Sequence, residues 1–371
     1  MTETQDLTAL DVITDLMGLR GRSGADDDPS STLGLVSGPG GPKFLVPLGW
    51  RAAMLASCTA FQGLREPRTR ASRLAVAAAL STRPGRRFAL AEELVADVGP
   101  GSLLAHLREV LGRDELAVAI GVGRMHELWR PTLQLFAPDG TPLAYVKVGY
   151  KPVDAAFVAN EAEVLRRWSA KEDPRLVVPE VVAQSQWRGN EILLVAPMPE
   201  DVRRLPPGPV GAWGVRTLDE PLPDMPVAEA LWWTERRKRF ADDEQVDALL
   251  GRIEDRHGGP DRSWARWHGD WVPWNLARSR RGLVAWDWEY SEPGAPVGLD
   301  ETHETFQIER WVRGRSVADA LVAARRVAPS TWVADAHVAM LVTRYADFAR
   351  SSGTRMADHD EVLRAAIAAV G

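Results

Sequence analysis

Between Trp267 and Tyr290 the chain reads WHGDWVPWNLARSRRGLVAWDWEY. His268 stands two residues before Asp270, Asn275 follows that acid by five, and Asp287 lies twelve residues further on. The segments NLAR and LVAWDWE flank the turn SRRG, which is the pattern of a β-hairpin. Folding that hairpin returns Asp287 to the side of Asn275, with Asp270 at the entry to the first strand. Two carboxylates and an amide then converge. Such a set suits oxygen-ligated Mg²⁺, which takes few protein ligands and leaves room for waters and phosphates. It does not suit zinc, because His268 has no partner histidine nearby. Phosphoryl transfer needs a metal to hold phosphate oxygens and a carboxylate to orient the attacking hydroxyl. Asp and Asn are also common in loops, so the full spacing carries the argument, not His-x-Asp alone.

The elements that must position these residues fall into two kinds. ELAVAIGVG, PTLQLFA and PLAYVKVGY, with the turn PDGT, predict an antiparallel meander from 115. VDAAFVANEAEVLRRWSA predicts an amphipathic helix with Asp154 placed to cap it. VVPEVVAQSQWRG and NEILLVAPM predict two more strands, so that five strands and one helix fill 115–198. Beyond Met198 a proline-rich stretch (199–226) leads to helices near 228–240 and 242–257, then to the motif, then to three helical patterns ending at Gly371. Upstream, the Gly, Ser, Pro and Asp of 21–42 predict a linker or long loop. KFLVPL predicts a short strand, and GWRAAMLASCTAFQG, PRTRASRLAVAAALSTR and PGSLLAHLREVLG predict helices. The expected division is a flexible tail (1–35), a mainly helical extension (36–112), a β-rich nucleotide-binding lobe (113–198) and an α-helical catalytic and substrate-binding lobe (199–371). That is a bilobal α+β arrangement.

The motif resembles the catalytic loop and metal-binding segment of the aminoglycoside phosphotransferase/choline kinase-like family, which has the protein kinase-like fold. His268, Gly269, Asp270 and Asn275 match its His-Gly-Asp-x4-Asn loop, and Asp287, Trp288 and Glu289 match its Asp-Trp-Glu strand. The resemblance implies that Asp270 is the catalytic base or hydroxyl-orienting acid and that Asn275 and Asp287 are magnesium ligands. It covers about 115–310 and leaves the N-terminal block unexplained.

A kinase-like arrangement also requires a lysine on the third strand and a glutamate on the next helix. In LAYVKVG, strand alternation puts Leu143, Tyr145 and Lys147 on one face. In the helix, Val158, Ala162, Leu165 and Trp168 form an apolar stripe, and Glu161 lies within it while Glu163 points elsewhere. A carboxylate there needs a cation, for which Lys147 is the candidate. In the family this pair lets the lysine hold nucleotide phosphates. Gly121 and Gly123, between the first two strands, supply a short glycine pair for a phosphate-covering loop. LLVAPMPE falls where the interlobe hinge belongs, so backbone groups from Ala196 to Met198 are candidates to bond adenine, although Pro197 has no N–H.

Six of the fifteen tryptophans lie between 264 and 288. Core packing accounts for most of them, since Trp carries a large apolar area. Trp271 and Trp274 sit inside the loop, where a sugar or planar base could stack. Asp300, Glu301 and Glu304 follow. In the family an Asp here supports the catalytic loop; acids here can also meet a cationic substrate, or simply favour a helix N-terminus. Trp271, Trp274, Glu289, Asp300 and Glu304 are therefore the candidate acceptor-binding residues.

Composition narrows the classes. With 45% hydrophobic and 26% charged residues, the chain has the balance of a soluble globular protein. A net charge of -6 argues against sequence-blind nucleic-acid binding. Cys58 is the only cysteine, which fits a reducing cytoplasm. No signal peptide is evident, and the longest apolar runs are too short to span a bilayer. The expectation is a cytoplasmic, Mg²⁺-dependent phosphotransferase that moves the γ-phosphate of ATP or GTP to a hydroxyl of a small molecule, with a sugar-bearing antibiotic or related metabolite as acceptor. The rivals are a non-catalytic kinase-like binding module, against which the intact Lys147, Glu161, Asp270, Asn275 and Asp287 argue, and a protein kinase, against which His-Gly-Asp and Asp-Trp-Glu argue.

Overall fold

The computed structural model describes residues 8–22, 28–39, 41–122, 129–171, 176–205, 220–259 and 261–371. The chain forms two compact units, one of residues 1–169 and 179–202, the other of 170–178 and 203–371.

The first unit is built on one nine-stranded sheet. Its strands are β1 (Arg20–Gly21), β2 (Thr32–Gly38), β3 (Gly41–Pro47), β4 (Leu90–Val95), β5 (Ala117–Gly121), β6 (Thr132–Phe136), β7 (Pro142–Gly149), β9 (Val181–Trp187) and β10 (Asn190–Val195), in the order β1-β4-β2-β3-β5-β6-β7-β10-β9. The intervening β8 (Leu176–Val177) belongs to the second unit. The meander β5-β6-β7 is antiparallel throughout, and β10 pairs with β7 so that Leu193 lies opposite Lys147. Along β7, Ala144, Val146 and Val148 are buried while Leu143, Tyr145 and Lys147 share the half-buried face, as a period of two requires. Helix α6 (Pro152–Ser169) lies on β7 and β10. Its start is crowded against the strand: a Cβ at Gly149 would stand 2.7 Å from Ala155 Cα, so the residue there must lack one.

The N-terminal region departs from expectation. Residues 8–22 are not a tail. Helix α1 (Ala9–Met17) opens with a capping box from Thr8 and Asp11 and closes on Gly18 in the left-handed conformation. Its Val12, Ile13, Leu16 and Met17 are buried in the same core as β2, β5 and β7. Nor are residues 32–38 a linker. They form β2, whose first five residues are all buried. Strands β2, β3 and β4 continue the sheet directly, through the pairings Phe44↔Gly121 and Leu45↔Ile120 between β3 and β5. The helices α2 (Arg51–Thr59), α3 (Pro67–Leu80), α4 (Arg83–Ala89) and α5 (Leu103–Leu111) do form. The extension is thus half sheet, and it belongs to the first unit rather than standing apart.

The second unit is mainly helical, with helices Leu231–Arg239, Glu244–His257, Leu299–Gln307, Val317–Val327, Thr331–Ser352 and His359–Val370. Four of these follow the motif rather than three, with a π-helical turn at Ile308–Val312. Their core gathers Trp233, Trp264, Trp267 and Trp332 with Leu249, Ile253, Leu299 and Phe306; each such side chain contributes roughly 1.5–3 kcal/mol on burial. Two small sheets carry the motif. One has the order β11 (Arg203–Arg204), β14 (Leu276–Ser279), β15 (Gly282–Ala285), β8; the other joins β12 (Glu220–Pro226), β13 (Asp261–Arg266) and β16 (Ala295–Pro296). No helix among the described residues is long and apolar enough to cross a membrane.

Candidate active site

The hairpin β14–β15 pairs Leu276 with Ala285 and Ser279 with Gly282, and Trp286 N–H donates to the Asn275 carbonyl at 3.2 Å. Asn275 and Asp287 are thereby neighbours across the ladder's open end. The loop that enters this hairpin is fixed by His268. Its ring is fully buried, 4.3 Å from Trp288 and edge-on to Trp271. Asp270 N–H donates to Nδ1 at 3.1 Å, so Nδ1 must accept. Nε2 lies 3.0 Å from the Trp286 carbonyl, so Nε2 carries the proton. One neutral imidazole therefore ties the loop to the strand that leads into Asp287.

Asp300 performs the second tie. It is buried, and its two carboxylate oxygens accept the N–H of His268 at 2.7 Å and of Gly269 at 3.0 Å. Charge-assisted bonds of this kind are about twice as strong as neutral ones. Gly269 itself has φ +87°, and a Cβ there would stand 2.2 Å from the Tyr290 carbonyl oxygen. Only glycine permits the loop to run against the backbone of the Asp287 segment. Arg344, on the distant helix Thr331–Ser352, donates both Nη atoms to the Gly269 carbonyl at 3.0 Å. Nothing local in the sequence marks Arg344.

Within this frame Asn275 Nδ2 donates to Asp270 Oδ2 at 2.7 Å. Asp270 keeps about a quarter of its side chain exposed, at 24%. Burial pushes its carboxyl up to about 7; Asp287 and Glu289 add to the rise, while the Arg344 charge and the Asn275 bond oppose it. Asp287 is half-buried and holds φ 62°, ψ 56°, a left-handed conformation uncommon for a residue with a side chain; it costs roughly 1–2 kcal/mol and clusters at functional sites. The Asn275 amide nitrogen is committed to Asp270; the Asn275 oxygen and the Asp287 carboxylate are hard donors. That pair fits a magnesium ion shared with phosphate oxygens. No group of three His, Cys, Asp or Glu side chains that could hold a metal occurs among the described residues.

Behind Asp270 lie two buried imidazoles. His303 Nε2 is 3.9 Å from Asp270 Oδ1, and His303 Nδ1 is 3.2 Å from His337 Nε2. Burial holds His303 well below the usual histidine range, with the Arg344 charge and the neighbouring His337 and His268 adding to the effect. Burial and then Arg344 bring His337 down to about 3. Both are neutral near pH 7. Their only sequence signal is a polar residue on a helix face otherwise apolar, such as His303 beside Leu299 and Phe306.

In the first unit Lys147 Nζ meets Glu161 Oε2 at 2.5 Å. Glu161 is buried with Val158, Ala162, Leu165 and Trp168, whereas Glu163 is exposed. Gly121 ends β5, opposite Phe44; Gly123 lies outside the described residues. Ala196 cannot offer its N–H to a base, because that group donates to the Glu180 carbonyl at 2.7 Å. With Pro197 lacking an N–H, Met198 is the donor left in the segment.

The acceptor candidates divide. Trp271 is fully buried, so it is a core residue with no face for a sugar; this corrects the stacking assignment. Trp274 is 46% exposed and keeps that possibility. Asp300 spends its carboxylate on the loop backbone, which corrects its assignment to the acceptor. Glu304 is buried and Glu289 is half-buried beside Asp270, so of the two acids Glu289 alone combines solvent access with nearness to the site.

No family model matches the chain, and no curated protein matches its sequence. Solved structures resemble the chain at low similarity. An aminoglycoside phosphotransferase crystallised with AMP-PNP and hygromycin B is 12% identical with a TM-score of 0.48, covering 72% of this chain and 97% of its own. The choline kinase of Streptococcus pneumoniae is 13% identical with a TM-score of 0.42, covering 72% and 98%. A putative fructosamine-3-kinase from Haemophilus somnus is 10% identical with a TM-score of 0.41, covering 71% and 95%. Likeness at this level decides neither activity nor acceptor. Those rest on the residues described above.

Proposed function

We propose that this protein is a Mg²⁺-dependent phosphotransferase that moves the γ-phosphate of ATP or GTP to a hydroxyl of a small molecule. The observation that carries the proposal is the Asp270 cluster: a carboxylate aligned by Asn275, next to Asp287, in a loop braced from three sides by His268, Asp300 and Arg344. So much bracing around one carboxylate is what positioning a reacting group requires. The nucleotide would give up its γ-phosphoryl group as the bond to the β,γ-bridging oxygen breaks and ADP or GDP leaves with that oxygen, and magnesium, when bound, would neutralise the phosphate oxygens. Asn275 and Asp287 would hold the ion. Lys147, oriented by Glu161, would hold nucleotide phosphates, and the backbone of Met198 would meet the base.

Asp270 aligns the acceptor hydroxyl and accepts its proton as the oxygen–phosphorus bond forms. A carboxyl near 7 is well matched to that task at neutral pH. Glu289 and Trp274 would contact the acceptor, one by charge or hydrogen bond and the other by its exposed face. An acceptor that is polar, hydroxyl-rich and able to carry positive charge fits both, so we favour a sugar-bearing antibiotic or related metabolite. The buried free thiol of Cys58 suits a reducing compartment, and we place the reaction in the cytoplasm.

The test is ADP release, with and without Mg²⁺, against panels of aminoglycosides, nucleoside antibiotics, free sugars, choline-like alcohols and a generic protein substrate. Turnover of one small-molecule class that depends on Mg²⁺ and vanishes in Asp270→Asn is expected. Nucleotide binding with no turnover on any panel, or turnover that survives Asp270→Asn, would sink it.

A further inference from the structure

We infer that Arg344 is a positioning residue that locks the Asp270 loop to the Asp287 segment, an inference that rests on the phosphotransferase reading above. The two segments meet at one point, where Gly269 runs against the Tyr290 carbonyl so closely that no Cβ fits between them. Contact that tight fixes a distance but not an orientation. The peptide on the N-terminal side of Gly269 is already held, because Asp300 accepts its N–H. The peptide on the C-terminal side, which leads into Asp270 and whose N–H His268 Nδ1 accepts, presents its carbonyl to Arg344 through two N–H bonds of 3.0 Å. The same guanidinium lies 4.3 Å from the centroid of the Tyr290 ring. Tyr290 is three residues beyond Asp287. One planar cation thus grips the loop by hydrogen bonds and the metal-binding segment by its face, a double use that a lysine cannot reproduce.

Arg344 is also anchored well enough to impose a position. Its helix is capped at the start by Ser330, which accepts the Val333 N–H, and stopped by Gly353 in the left-handed conformation. The surrounding Leu341, Val342, Thr343 and Ala346 are buried. A brace set on a rigid helix 75 residues away in sequence can hold the loop still while acceptor and product exchange. Arg344 touches no reacting atom in this arrangement. Its effect runs through Gly269 and Tyr290.

The test compares Arg344→Lys, Arg344→Met and Arg344→Ala with the parent protein. Misplacement of a reacting group by about 1 Å costs about 100-fold in rate, so Arg344→Lys should lose about 10- to 100-fold in kcat, with KM for the Mg²⁺-nucleotide within about threefold. Added guanidinium chloride, at concentrations far below denaturing, should restore part of the Arg344→Ala turnover, and sodium chloride at equal ionic strength should not. In the nucleotide-free and metal-free protein, hydrogen exchange should quicken in 267–275 and 286–291 of Arg344→Lys, while exchange in 331–352 stays as in the parent. Should Arg344→Met fail to fold, the lysine variant and the guanidinium rescue still decide. A kcat within twofold of the parent in Arg344→Lys and Arg344→Met, with exchange unchanged, overturns the inference alone. A parent protein that turns over no acceptor overturns the phosphotransferase reading, and this inference with it.

Discussion

Asp270 and Asp335 are both carboxylates enclosed within the second unit, and they are treated in opposite ways. Asp335 is fully buried and met by two arginines and a histidine. Arg256 Nη1 and His257 Nε2 approach its Oδ2 at 3.1 and 2.9 Å, and Arg325 Nη2 approaches its Oδ1 at 3.0 Å. Those contacts join the helices Glu244–His257, Val317–Val327 and Thr331–Ser352, and Arg256 also caps the chain end through the Val370 carbonyl. Asp270 has an amide on one oxygen, a neutral imidazole behind the other, and two more acids nearby. A carboxylate that only has to hold helices together is paired directly with arginines. A carboxylate left under-compensated, and then braced, has a different use.

The largest difference should appear when each acid becomes its amide. Asp270→Asn removes proton acceptance and leaves the shape, so turnover should fall by about 10²–10⁴, the span expected of a general base. Asp287→Asn should in addition weaken the Mg²⁺-dependent part of nucleotide binding, because it removes an ion ligand. Titration calorimetry with a non-hydrolysable nucleotide, with and without Mg²⁺, separates the two; equal loss of Mg²⁺-dependent binding would mean the roles are confused. Asp335→Asn should leave kcat per folded molecule near the parent value and cost about 1–3 kcal/mol, since charge-assisted contacts are lost while Arg256 and Arg325 can still reach water. Urea unfolding measures that cost. A fall below 1 kcal/mol would dissolve the contrast.

The pH dependence sharpens the same comparison. Asp270 has its folded-state carboxyl raised from 3.8 to about 7. The folded protein therefore holds this proton more tightly than the unfolded chain does. Stability must decline as pH rises between those values and level off above them. Asp270→Asn has no such proton. Its advantage over the parent in Mg²⁺-free buffer should grow from pH 4.5 to pH 7 and stay constant to pH 8. An advantage that is flat over the whole range would show that Asp270 is not destabilised by its surroundings.

The Lys147–Glu161 pair is ion-paired like Asp335 and proposed to bind nucleotide. Lys147→Ala removes the less buried partner and takes the cation from a buried carboxylate; Glu161→Ala removes the more buried partner and leaves the lysine nearer to water. Nucleotide affinity should fall in both, by about tenfold or more, and the stability loss should be greater for Lys147→Ala. Isothermal titration with unfolding curves checks it. Nucleotide affinity unchanged in both variants would remove the pair from the site.

These contrasts also explain what the sequence could disclose. The β14–β15 hairpin, the meander β5–β7 and helix α6 were legible because each shows one periodicity over a continuous stretch, with a turn at its end. Strand β2 was hidden because TLGLV is buried on both faces, so nothing alternates, and its neighbours are Gly, Ser and Pro. Within the site, the residues proposed to perform chemistry lie close together in the chain and form a motif. The residues that brace them do not. His268 and Asp300 fall near the motif, but Arg344 and His337 arrive from a helix whose sequence is shaped by its own core. A partner chosen by tertiary contact leaves no local pattern.

The smallest expected effect concerns the two loop tryptophans, which repeat the contrast between structure and use in apolar form. Trp271 is fully buried against His268, and Trp274 is nearly half exposed three residues later. Trp271→Ala should cost about 3–5 kcal/mol, as truncation of a buried aromatic does. Trp274→Ala removes a side chain that supports little of the core, so its stability should stay within about 0.5 kcal/mol of the parent. If the exposed ring stacks on the acceptor, the loss must appear in binding. Stacking of this kind is worth about 0.5–1.5 kcal/mol, which is about 2- to 12-fold in acceptor KM, with kcat and nucleotide KM unchanged. Steady-state kinetics on the acceptor found by the panel screen measures it. An acceptor KM equal to that of the parent would leave Trp274 as an ordinary surface residue and pass the acceptor's recognition to Glu289. A Glu289→Gln variant would then have to show the rise in KM that Trp274→Ala did not.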